Sequence, residues 1–312
     1  MDRRTFLAAA SATAISTGLH PIPSFAEPDT PKKLPPMAIG LLISPYGNAE
    51  TTIKRVHDMG FSNCFLSLDG YINKFTADAA KQISDLLGKY QLVATTVEVV
   101  GPGPLEWNFL QGPSTIGVVP PKTRAARIDA LRQASDFAKQ LGINQVQTHC
   151  GFIPENPTDA LYPQAVEAIR TVAEHCHGNG QYFLMETGQE TPTTVSRVIR
   201  DANLPNLAVG LDTANLILYG KANPVDAVDI IGTHVRSVHA KDGKWPTDPS
   251  KLGEEVLIGK GLVDFKTVIT KLHKLGYTGA ITIERETSGP QQVEDVKNEK
   301  LYLQKTIDEV LS

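Results

Sequence analysis

Eight short apolar runs alternate with longer amphipathic stretches along this chain, and that alternation restricts the fold more than any single motif. The runs are Met37–Ile43, Phe61–Leu68, Leu92–Val97, Gln145–His149, Tyr182–Glu186, Ala208–Asp212, Val235–His239 and Ala280–Glu284. They are brief and often β-branched, as strands covered on both faces are. Between them apolar residues fall at helical spacing. Thr76–Tyr90, Thr123–Leu141 and Thr158–His177 each open on a Thr in the capping position. Pro192–Ala202, Pro224–Gly232, Asp264–Leu275 and Gln292–Leu311 complete the helices. Gly142 and Gly178 suit helix ends. Strict alternation implies a parallel sheet. Eight strands close it, so the reading is α/β: a single-domain (β/α)8 barrel over residues 37–312, near the usual size of about 250 residues. An open doubly wound sheet would need a Gly-rich phosphate turn after the first strand, and Ser44-Pro45-Tyr46-Gly47-Asn48 is not one.

The first residues read differently. Met1-Asp2-Arg3-Arg4-Thr5-Phe6-Leu7 carries paired arginines, an Ala-rich apolar run follows to about Leu19, and Ser24-Phe25-Ala26 has the small residues a signal peptidase reads. Residues 1–26 are therefore expected to be a secretory signal of the twin-arginine type, and 27–36 a Pro-rich linker. The apolar run is short for a membrane span, which needs about 20 residues. The expected localisation is periplasmic, with no stable membrane insertion after cleavage.

A formal net charge of −4 with no basic block lacks the electrostatic footprint of a nucleic-acid partner. Three cysteines, Cys64, Cys150 and Cys176, cannot all pair and read as buried free thiols.

The chemistry gathers at strand ends. Glu186, Asp212, His239 and Glu284 close the last four apolar runs, and each is a metal-ligand type. In a barrel those ends share one rim, the face on which such folds carry their sites. Three carboxylates brought together there need a positive charge among them. Three oxygen donors and one imidazole suit Mn²⁺ best, with Co²⁺ or Mg²⁺ as alternatives.

This order of Glu, Asp, His and Glu resembles the sugar phosphate isomerase/epimerase family, with its xylose isomerase-like TIM barrel, whose members include ketose 3-epimerases and inosose-processing enzymes. The resemblance spans residues 37–312. It is supported by His239-Ala240-Lys241-Asp242 and by Leu257-Ile258-Gly259-Lys260-Gly261. It implies a small carbohydrate substrate, proton abstraction next to a carbonyl, and a metal-bound cis-enediolate. Glu186 and Glu284 would be the acid/base pair, with Asp212 and His239 mainly anchors.

Further substrate contacts are expected from His149, Glu98, Asn215, Trp107, Arg285 and Lys241, the last as a counter-charge to the enediolate. Arg285 and Gln189 stand beside ligands, and Trp107 and Trp245 lie on the two long connections, Val99–Pro121 and Ala240–Val263. One departure stands out. The ketose 3-epimerases usually carry a His where this chain has Asn215, and an amide cannot titrate near neutrality. The same residues would serve a lyase acting on a 3-keto-glycoside by β-elimination. A non-catalytic sugar-binding protein would not need four converging ligands. A multi-metal endonuclease would need more ligands and a basic face. Homo-oligomer formation is left open.

Overall fold

The structure is a computed structural model that describes residues 33–312. The expected signal and most of the expected linker lie outside the described residues. Eight parallel strands close into a barrel: β1 (Ile39–Ile43), β2 (Asn63–Ser67), β3 (Val93–Glu98), β4 (Gln145–Thr148), β5 (Tyr182–Glu186), β6 (Leu207–Asp212), β7 (Val235–Ala240) and β10 (Ile281–Ile283). β10 pairs with both β1 and β7, which shuts the ring. The expected barrel, single domain included, is the observed one.

The helices that cover it are α1 (Ala49–Asp58), α2 (Ala77–Lys89), α4 (Pro121–Gln140), α5 (Leu161–Gly178), α6 (Pro192–Ala202), α8 (Pro224–Ile231), α9 (Phe265–Lys274) and α10 (Pro290–Leu311). Two single-turn helices, α3 (Gly112–Thr115) and α7 (Asn215–Leu218), sit in loops. The seven expected helices are present, and α1 is an eighth the sequence reading passed over. Asn48 caps it through Thr51 N–H, and Ala49, Ile53 and Val56 bury one stripe.

Two expected Thr caps are corrected. α4 starts earlier, on Pro121, whose missing N–H costs nothing in a first turn. α5 starts later, at Leu161, because Asn156 Oδ1 accepts from both the N–H and the hydroxyl of Thr158 and holds it in a turn. The other long connection also has structure. β8 (Asp242–Lys244) and β9 (Glu254–Val256) form an antiparallel hairpin after β7.

The register decides which side chains face the axis. Paired residues of a parallel ladder point to the same face, and so does every second residue. Glu98 pairs with Gln147, so Glu98, Gln147 and His149 share a face. Gln147 pairs with Leu184, and Glu186 is two further on. Glu186 pairs with Gly210, Asp212 with His239, and His239 with Thr282, two before Glu284. All these residues therefore point into the barrel, stepped by the stagger that closure imposes.

Candidate metal centre

The four ligand candidates converge. One donor atom from each of Glu186, Asp212, His239 and Glu284 lies within 4.8 Å of all the others. That fits donors placed about 2.0–2.2 Å from a common divalent cation. Asp212, Glu186 and His239 are buried, and Glu284, just past β10, turns toward a cavity. Asp212 Oδ2 is buried with no hydrogen-bond partner, and Glu284 Oε2 has only the His239 ring beside it. Orphaned carboxylate oxygens are costly unless a cation takes them up. The residues present fit a divalent metal.

The surrounding groups hold these donors in place. His239 Nδ1 stands 3.2 Å from Glu186 Oε1 and 3.0 Å from Glu284 Oε2, and its ring meets Phe65 edge-on at 4.5 Å. Gln147 donates to Glu186 Oε2 at 3.0 Å. Room for it comes from Gly210, where a Cβ would fall 2.0 Å from Gln147 Oε1. Asp212 Oδ1 accepts the N–H of Asn215 at 2.7 Å, leaving Oδ2 free.

Electrostatics separate the carboxylates. Burial would raise Glu186, but His149 and His239 outweigh it and hold the carboxyl at about 2. Burial would likewise raise Glu284, and Lys241 and His239 hold it well below the usual range. Burial drives Asp212 well up, with Lys241 opposing. Glu98 is also driven well up, by burial and then by the charge of Glu186. Burial would lower His239, and Glu186 and Glu284 raise it well above its ordinary value instead. Lys241 is buried and raised too: burial opposes, and Glu284, Asp212 and Glu286 prevail. Its Nζ is 2.8 Å from Glu286, 3.6 Å from Glu284 and 4.0 Å from Asp212.

A second group adjoins the first. His149 Nε2 is 3.2 Å from Glu186 Oε2 and 3.8 Å from Glu98 Oε1, and Gln189 holds its Nδ1 at 3.2 Å. Above both groups opens a cavity of about 470 Å³. Glu98, His149, Asn215, Trp107 and Glu284 line it, whereas Lys241 stands beneath, within 3.5 Å of Asn215 Oδ1. Trp107 meets the His149 ring edge-on at 4.9 Å.

One expected contact, Arg285, falls elsewhere. Arg285 is committed to Glu255 at 2.6 Å and Asp295 at 3.0 Å, so it ties the hairpin to α10 instead of lining the cavity. The strand ladder explains this, since Arg285 follows the inward Glu284 and points the other way. Trp245 lies out on the hairpin beside Lys244 and Thr247. Residues passed over in the sequence are Gln147, Asp69, Tyr219 and Glu286. Gln147 and Glu286 had a legible signal: each lies two residues from an inward site residue.

A closed parallel barrel with a buried acidic rim that fits a divalent cation defines the class. The chain belongs to the xylose isomerase-like TIM barrel family, whose pattern matches residues 53–306. An uncharacterized protein of Methanocaldococcus jannaschii is 26% identical over 176 residues, 53% of this chain and 58% of that one. The chain thus spans little more than half the length of that relative. A xylose isomerase domain protein from Planctomyces limnophilus is 28% identical with a TM-score of 0.84, covering 89% of this chain and 99% of that one. A D-tagatose 3-epimerase-like protein shares the fold at 20% identity and a TM-score of 0.69, covering 88% and 98%.

Proposed function

We propose that the protein is a divalent-metal-dependent sugar isomerase/epimerase that moves a proton on the carbon next to a substrate carbonyl. The observation that carries this reading is the set of four inward donors, with Asp212 Oδ2 left without a partner, beside a cavity that would admit a small carbohydrate. Manganese suits the three-oxygen, one-nitrogen set. When bound, the cation would polarise the carbonyl and so acidify the adjacent C–H.

The chain supplies the rest. Glu284 faces the cavity and is the base best placed to take the proton. Glu186 carries donors on both oxygens, from Gln147, Asn215 and His239, and lies 3.2 Å from His149, which lines the cavity. A proton taken from solvent by way of His149 would let Glu186 protonate the carbon from the other side, while Glu284 gives its proton up to solvent. Lys241, with its charge fixed high, stabilises negative charge that grows on the substrate oxygen. Asn215 positions a hydroxyl by hydrogen bonding, without titrating.

A second reading uses the same atoms. A glycosidic oxygen on the carbon beyond the deprotonated one would leave as its C–O bond breaks, the C–H electron pair forms C=C, and an acid protonates the departing oxygen. The cavity's extension past the carboxylates onto Leu105, Trp107 and Leu252 favours this lyase reading, because a leaving group needs room.

Solvent exchange tests both. Manganese-loaded protein is incubated in D2O with ketohexoses and 3-keto-glucosides. Deuterium should enter next to the carbonyl, and Glu284→Gln should slow that entry at least about 100-fold. Retained glycoside marks the epimerase, released aglycone the lyase. Should the wild-type protein neither place deuterium in any of these substrates nor release an aglycone, the proposal would fall.

A further inference from the structure

We infer that the site is built for a glycoside bearing an apolar, ring-sized aglycone, a substrate class narrower than free sugars; the inference rests on the sugar reading above. The cavity has two unlike halves. Carboxylates and His149 form its floor, while Val100, Leu105, Trp107, Leu218, Tyr219 and Leu252 form a wall. The volume of about 470 Å³ falls in the range of roughly 300–1,000 Å³ usual for small-molecule pockets. A single ring seated against Glu284 and His149 leaves the apolar half unfilled, and apolar surface left facing water gains nothing from binding.

The wall is fixed, not a loose loop edge. Its residues come from three connections, after β3, β6 and β7. Arg127, wholly buried on α4, donates to the carbonyls of Pro102, Pro104 and Gly117 and so holds the segment that carries Leu105 and Trp107. Gly253 N–H donates to Leu218 C=O at 2.9 Å, which sets Leu252 beside α7. A Cβ at Gly253 would fall 1.9 Å from Lys244 O, so this approach needs glycine. Trp107 is 41% exposed yet touches His149, so the wall begins one ring's width from the carboxylates. An apolar aglycone continuing from the sugar would cover it.

Competition between two substrates with equal leaving-group chemistry tests this. Methyl and cyclohexyl 3-keto-β-D-glucopyranoside are mixed with the manganese-loaded protein in D2O, and the ratio of their kcat/KM values is read from deuterium entry. The cyclohexyl compound should be favoured at least about tenfold, the effect of burying a few methylenes. Leu252→Ser and Leu105→Ser should each lower the ratio severalfold. A ratio near one, or one that neither substitution changes, overturns the aglycone wall while exchange into the methyl compound upholds the sugar reading. If there is neither exchange into nor alcohol release from either glycoside, both are overturned.

Discussion

Glu190 shows how a single residue can stand at odds with its surroundings. It is wholly buried, four residues beyond Glu186, and neither carboxylate oxygen has a hydrogen-bond partner. Burial pushes its pKa from 4.5 to about 8, with Lys221 opposing. The unfolded chain loses this proton near 4.5, and the native chain holds it to about 8. Between those values the native state binds more protons, so the contribution to stability is full below 4.5 and is lost as pH rises through 8. Glu190→Gln keeps the shape of the neutral acid and removes the titration. The variant should melt within about 1 °C of wild type at pH 5 and at least about 3 °C above it at pH 8.5. Parallel melting curves across that range would refute the assignment. At this scale the sequence was readable where chemistry and position coincided: Glu186, Asp212, His239 and Glu284 each end an apolar run. Gln147 was not, because its contact with Glu186 depends on the missing side chain of Gly210, two strands away.

Among the elements, the connection after β7 holds the most that the sequence left unread. As sequence, residues 240–263 are a long polar loop with no clear period. In the fold, Asp242 organises them. Its carboxylate accepts the N–H groups of Gly243, Gly259, Gly261 and Val263, all at 2.8–3.0 Å. A Cβ at Gly261 would lie 2.1 Å from Asp242 Oδ1, so the two motifs noted in the sequence, one ending in Asp242 and one in Gly261, are two sides of one knot. Their joint presence was legible, but the contact between them was not, since it closes over a hairpin whose strands are only three residues long. Asp242→Ala orphans four N–H groups, each worth about 1 kcal/mol or more if left unpaired. Limited proteolysis should then cleave within residues 244–258 at least about tenfold faster than in wild type. An unchanged cleavage rate would mean that the hairpin stands without the knot.

Considered as a whole, the barrel is joined across half its circumference by the site itself. Glu186, Asp212, His239 and Glu284 come from β5, β6 and β7 and from the residue just past β10, four neighbours in the closed ring. The eight-period alternation made this closure legible, because a parallel sheet of eight strands has few other ways to cover its faces. The site therefore bears on global stability. Glu186, Asp212 and Glu284 crowd together there, and Lys241 and His239 offset only part of the cost of ionising all three. A cation held by all four ligands would exist only in the folded chain, so its binding free energy would add to folding, by about 2.7 kcal/mol at a hundredfold excess over Kd. Chelator-treated protein should therefore melt several degrees higher when manganese is restored, with the midpoint climbing as the metal concentration rises. Asp212→Ala removes the ligand whose Oδ2 is orphaned, along with the oxygen that caps Asn215 N–H. That variant should lose both stoichiometric metal binding and the metal-dependent rise, while the chelated forms differ far less. Equal rises in the two proteins would place the cation elsewhere, and no rise in the wild type would remove the metal centre altogether.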